Sequence, residues 1–125
     1  AVRMTGQGTR TGRAGEHFVA YLIETIGLEA VRVDGACDLH VTLNSGRVMR
    51  FEVKTCGVRR GPSFRFSRGG SSADIYALVA MTDQPVVRFF LAGMRATRTE
   101  LMTVPVSEFT IEQQNEDLHW ISCLT

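Results

Sequence analysis

The chain has 125 residues, with 14 Lys/Arg against 13 Asp/Glu and a mean hydropathy near zero. That suits one globular domain able to bury about two-thirds of its unfolded surface. No apolar stretch approaches a membrane span, and the first residues carry Arg and Gly rather than an apolar signal core, so neither a membrane protein nor a secretory leader is expected. Cys37, Cys56 and Cys123 form no C-x-x-C and leave one thiol over, which points to the cytoplasm and away from a disulfide scaffold or a zinc site.

The first ten residues, rich in Gly, Thr and Arg, read as a flexible arm, leaving 11–125 as a single domain. Residues 11–26 carry a helical stripe, Phe18, Leu22 and Ile26, widened by Val19 and Ile23. Thr11 is the expected N-cap and Gly27 the stop. Glu16 falls at the border of that stripe. It is either a first-turn acid favoured by the helix dipole or a carboxylate leaning over the sheet that the helix covers.

Short strands follow at 29–33, 38–43 and, from residue 47 or 48, to 55. Leu39, Val41 and Leu43 alternate with Asp38, His40 and Thr42, and Met49, Phe51 and Val53 alternate with Arg50, Glu52 and Lys54. Asn44-Ser45-Gly46 is a tight turn. A basic loop leads to a strand at 63–67, a Gly/Ser-rich loop, an apolar strand at 74–81 expected at the centre of the sheet, and a strand at 86–92. A strand at 101–104 and a short helix from Ser107 to about 115 complete the expected elements. The fold class is α/β (α+β), with the N-terminal helix packed on a mixed central sheet.

Lys54 is the only lysine; every other cationic position is arginine. An ammonium is a compact, mobile point charge, unlike the planar guanidinium. One sheet side must take both apolar rows of the 38–55 hairpin, so paired residue numbers sum to an even value. Asp38 is then opposite Glu52 or opposite Lys54, at a Cβ separation of about 5 Å. Two carboxylates and an ammonium thus meet on one side. The plain reading is a cross-strand ion pair on a solvated face, a contact worth little. The chemical reading is a cation site. Asp38, Glu52 and the Val53 carbonyl would ligate Mg2+, which takes one or two carboxylates with water and phosphate oxygens. Lys54 would orient or help deprotonate a bound water. Glu16 would hold an outer-sphere water or a second metal.

A helix with Glu16, a strand with Asp38 and then Phe51-Glu52-Val53-Lys54-Thr55 resembles the PD-(D/E)XK nuclease superfamily, in particular small single-domain members such as archaeal-type Holliday-junction resolvases and phage- or intron-encoded endonucleases. Asp74 and the apolar run after it are similar to the strand that follows the hairpin in those enzymes. The resemblance spans about 12–93 and implies a restriction-endonuclease-like core. It implies Mg2+-dependent hydrolysis of DNA (Mn2+ substituting) with Glu16, Asp38, Glu52 and Lys54 as catalytic residues, and often a homodimer. Four-way junctions or a duplex read by sequence, in the manner of homing and restriction enzymes, are the two substrate readings. A non-catalytic DNA-binding module is the third. Cys37 stands where the family has proline. The family's helix between the hairpin and the next strand has room here only as a short helix or an irregular loop.

Residues 1–72 hold eleven Lys/Arg against six Asp/Glu, whereas 73–125 hold three against seven. Arg10, Arg13, Arg59, Arg60, Arg65 and Arg68 are the expected phosphate contacts. His17, His40 and Cys56 neighbour the site without an assigned role. Phe109, His119 and Trp120 are expected to pack on the core or a partner.

Overall fold

The computed structural model describes residues 2–33, 38–56, 59–67, 73–92 and 101–125. Its elements are α1 (Val2–Thr25), β1 (Glu29–Arg32), β2 (Leu39–Thr42), β3 (Val48–Cys56), β4 (Arg59–Arg60), β5 (Ser63–Ser67), β6 (Ile75–Ala80), β7 (Val86–Leu91), β8 (Leu101–Pro105) and α2 (Ile111–Ser122). Five strands form one mixed sheet, ordered β1-β2-β3-β6-β7, and three form a second, ordered β4-β5-β8. The fold is mixed α+β, with helices packed on the five-stranded sheet.

Helix α1 is longer than its stripe suggests. It starts at Val2, so residues 2–10 are helical rather than a loose arm, and Thr11 lies inside the helix instead of capping it. Gly6, Gly8 and Gly12 each cost a helix about 1 kcal/mol relative to alanine, but none removes a donor as proline does. The stop is as expected. Gly27 takes φ +86°, and the Leu28 and Gly27 amides donate to the Ile23 and Glu24 carbonyls at 3.3 and 3.0 Å. That is the paired closure in which glycine meets no Cβ penalty.

The β2–β3 hairpin turns through 44–46, with Gly46 at φ +90° and the Leu43 amide donating to Arg47 O at 2.8 Å. Leu39 pairs with Phe51 and Val41 with Met49, the even-sum register. These apolar residues join Val53, Ile75, Ala77, Val87 and Phe89 in one core under Val19, Leu22 and Ile23 of α1 and Leu118 and Ile121 of α2. We call this helix-covered side the front. The strand expected at the centre, β6, is an inner strand, parallel to β3 and antiparallel to β7.

A second core occupies part of the back. Phe64, Phe66 and Val104 of the small sheet meet Leu78, Ala80 and Phe90, with Phe109 alongside. Phe109 packs edge-on to Phe64 at 5.2 Å between centroids and stacks with Phe66 at 5.9 Å. The parallel β3-to-β6 crossover therefore passes through the β4–β5 hairpin, where the family resemblance implied a helix; residues 68–72 lie outside the described residues. Docking of Phe109 also corrects the expected 107–115 helix. Val106–Glu108 is a single 3-10 turn, and α2 begins afresh at Ile111, with the Thr110 hydroxyl accepting from the Gln113 amide at 3.1 Å.

Strand β7 borders the large sheet, and two of its outward amides are satisfied by side chains. Gln114 Oε1 accepts from the Val87 amide and Asp117 Oδ2 from the Phe89 amide, both at 3.0 Å. Asp117 also accepts from Arg88 Nε at 2.8 Å, Trp120 Nε1 at 3.0 Å and Gln113 Nε2 at 3.2 Å. Buried carboxylates persist when their lone pairs are filled in this way. Arg88 reaches Glu108 as well, at 2.6 Å, and lies over the Phe90 ring at 4.7 Å.

Candidate active site

Strand β2 leaves β3 at Asp38. The Asp38 amide donates to Phe51 O at 3.0 Å, and two residues on, the Val53 amide is taken by Asp38 Oδ2 at 2.7 Å rather than by a strand carbonyl. A side chain thus replaces the next rung of the ladder and holds the strands apart as a fork. Because N–H and C=O of one strand residue point the same way, the Val53 carbonyl is directed to the Asp38 side too.

Val53 separates Glu52 from Lys54, and alternation sends both of those side chains to the back of the sheet. Lys54 Nζ lies 3.4 Å from Glu52 Oε2. Glu52 is 7% exposed, and its Oε2 has no hydrogen-bond partner; the ammonium is near enough to attract it but poorly aimed for a bond. This is not a solvated ion pair. A carboxylate taken out of water with one misaligned cation bears a desolvation penalty that such a contact does not offset. Asp38, Glu52, Val53 and Lys54 are therefore brought together.

Glu16 is placed elsewhere. Its Oε1 accepts from Arg32 Nε at 3.0 Å and lies 2.9 Å from the second guanidinium nitrogen. The helix carrying it covers the front, with Phe51 and Val53, whereas Glu52 and Lys54 project to the back. The expected convergence beneath α1 is thus corrected: Glu16 shares an end of the sheet with Asp38 but belongs to an ion pair on the other side. Among the described residues, no three His, Cys, Asp or Glu side chains assemble as a metal cluster. The available donor set is two carboxylates and a main-chain carbonyl.

Arg10 and Arg13 are exposed on α1, and Arg65 is exposed on β5. Arg59 and Arg60 pair through their backbones with Phe64 and Ser63; Arg68 lies outside the described residues. Cys56 edges the back core, and His40 is exposed on β2. Trp120 packs against the front core, while His119 is exposed.

Three residues at the site had no individual role in the sequence reading, although Asp74 and Tyr76 belong to the strand it placed after the hairpin. Arg32 claims Glu16. Tyr76 pairs in parallel register with Glu52, and its only signal was a polar-tipped ring in an apolar strand. Asp74 locks the start of β6 to β3: its Oδ2 accepts from the Arg50 amide at 2.8 Å, and its own amide donates to Arg50 O at 2.8 Å. Burial raises the Asp74 pKa, but the Arg50 amide and guanidinium outweigh that and hold it below the ordinary carboxylate value.

No family model matches the sequence, and no curated protein matches it. Among solved structures, the fold is similar to that of a bacterial homing endonuclease, I-Ssp6803I, with a TM-score of 0.64 over 76% of this chain and 72% of that chain. Identity is 10%, so the likeness is one of fold.

Proposed function

We propose that the chain is a metal-dependent DNA endonuclease of the PD-(D/E)XK type. The carrying observation is the buried Glu52 Oε2, which lacks a hydrogen-bond partner, set beside the Asp38–Val53 fork and within ion-pair reach of Lys54. Asp38, Glu52 and the Val53 carbonyl form the hard oxygen set that suits Mg2+, or Mn2+ in its place. When bound, the cation supplies a Lewis acid and an acidified water. Glu52 and Asp38 would hold it. Lys54, tethered beside Glu52, donates an N–H to the attacking water or to a non-bridging phosphate oxygen, stabilising the charge that accumulates in attack. Cleavage leaves a 5′-phosphate, and a homodimer lets both strands be cut. Arg10, Arg13 and Arg65 supply exposed charge for the phosphates, so binding falls steeply with salt, with a log–log slope of several units.

The fold likeness to a homing endonuclease favours duplex DNA over a four-way junction. Nicking measured with Mg2+ and Mn2+ on single-stranded, duplex, flap and four-way substrates tests both levels. Cleavage by the parent, lost in Glu52→Ala and Lys54→Ala while DNA binding stays within about tenfold (roughly 1.4 kcal/mol), is the expected result. Parent-level cutting by either variant removes these residues from the chemistry. A preference for four-way DNA removes the duplex reading.

A further inference from the structure

Glu52 and Lys54 project to the back of the sheet, so a polymer must reach them from that side. The small sheet and Phe109 cover the back of β6, β7 and the end of β3. No described residue covers the back of β1, β2 and the first half of β3. Val31 and Val48 are 48% and 50% exposed there, and His40 and Arg50 are exposed beside them. Register arranges three of these as a row across the strands, Val31 opposite His40 and His40 opposite Arg50. Asp38 and Glu52 lie two residues further along the same strands, about 7 Å from that row. That is about one step of an extended nucleotide backbone.

Resting on the nuclease reading, we infer that the strand being cut lies across the back of β1, β2 and β3, with a phosphate on Arg50 and a sugar and base against Val31 and His40. Asp74 holds the Arg50 guanidinium from one side, at 3.4 Å, and leaves nearly half of the side chain exposed. Asp74 takes the Nε and Nη2 edge, and because a guanidinium carries five N–H donors, its exposed part can add a phosphate oxygen to that contact. Val31 and the His40 ring offer the apolar and planar surface that sequence-tolerant contact with sugars and bases uses. Glu29 is a further acid on this face, at its far end from Glu52. The track is continuous with the candidate site, which is what separates it from an ordinary exposed sheet face.

The test uses the full chain, a DNA duplex and a fluorescence anisotropy titration, followed by steady-state cleavage with Mg2+. Val31→Glu and His40→Ala are expected to weaken binding at least tenfold and fivefold and to raise KM. Ile111→Glu, the same charge change at an exposed position on α2, is expected to bind like the parent. If the parent binds and cuts but Val31→Glu and His40→Ala bind within twofold of it, the track is wrong and the nuclease reading stands. If Val31→Glu instead changes the oligomeric state in sedimentation with DNA affinity unchanged, the face belongs to a second copy and the track is overturned. If the parent neither binds nor cuts DNA with Mg2+ or Mn2+, it is the nuclease reading that fails.

Discussion

Gly15 of α1 lies directly on Thr55 of β3: a Cβ at position 15 would run into the Thr55 hydroxyl oxygen. Thr55 Oγ1 is itself buried without a hydrogen-bond partner. The contact brings the helix down onto the strand next to Lys54, and so sets how closely α1 approaches the end of β3 that carries the candidate site.

Gly15→Ala should therefore destabilise the protein. Alanine gains up to about 1 kcal/mol of helix propensity, but overpacking costs about 1–3 kcal/mol. In a Thr55→Ala background the clash disappears and the same change should become neutral or stabilising. Urea unfolding of the four proteins measures this; additive effects would mean that the two residues do not press on one another.

Glu52→Gln separates stability from function. Replacing a buried carboxylate that lacks a well-formed partner by a neutral amide should leave Tm in chelator at or above that of the parent. Mg2+ should raise the Tm of the parent and not of the variant, because only a ligand that binds the folded state stabilises it. Equal Mg2+ shifts in both proteins would exclude Glu52 as a ligand.

Asp117 should be among the costliest positions to lose. Asp117→Ala leaves the Phe89 amide and the Trp120 indole without their acceptor and strips Arg88 of a partner. Removing one member of a buried ion pair costs about 3–5 kcal/mol. Asp117→Asn keeps one carbonyl acceptor and should cost less. Denaturant midpoints at constant m-value give the comparison.

The Asp74 contact has a defined pH signature. Its pKa is lower folded than unfolded, so its contribution to stability is complete above the unfolded value. That contribution is lost as pH falls through the folded one, below about pH 4. Asp74→Asn should flatten this part of the acid limb and leave the slope near neutrality unchanged. Stability measured from pH 2.5 to 7 in both proteins tests it; an unaltered acid limb would show that the Arg50 contact does not hold the carboxylate.

What the sequence made legible was local and periodic. Alternation in 38–43 and 48–55 fixed the even-sum hairpin, and with it the side shared by Glu52 and Lys54. The Phe18-to-Ile26 stripe found the buried part of α1, but the Gly-rich stretch before it has no apolar spacing to reveal a helix. The side on which Glu16 would fall was not legible, since a helical stripe does not say which face of a sheet it covers. The β5–β8 pairing joins residues far apart in the chain, and no local spacing encodes it. Gln114 and Asp117 did leave a trace: with Leu118 and Ile121 they complete a buried helical spacing in which two of four positions are polar, a pattern that asks for donors in the partner.

Those two side chains also decide how the large sheet can meet another one. With the outward amides of Val87 and Phe89 already spoken for, a foreign strand could add at β7 only by dislodging α2. Lateral growth of the sheet is left to the other border, the four residues of β1, a short run that gives an intruding strand little to grip.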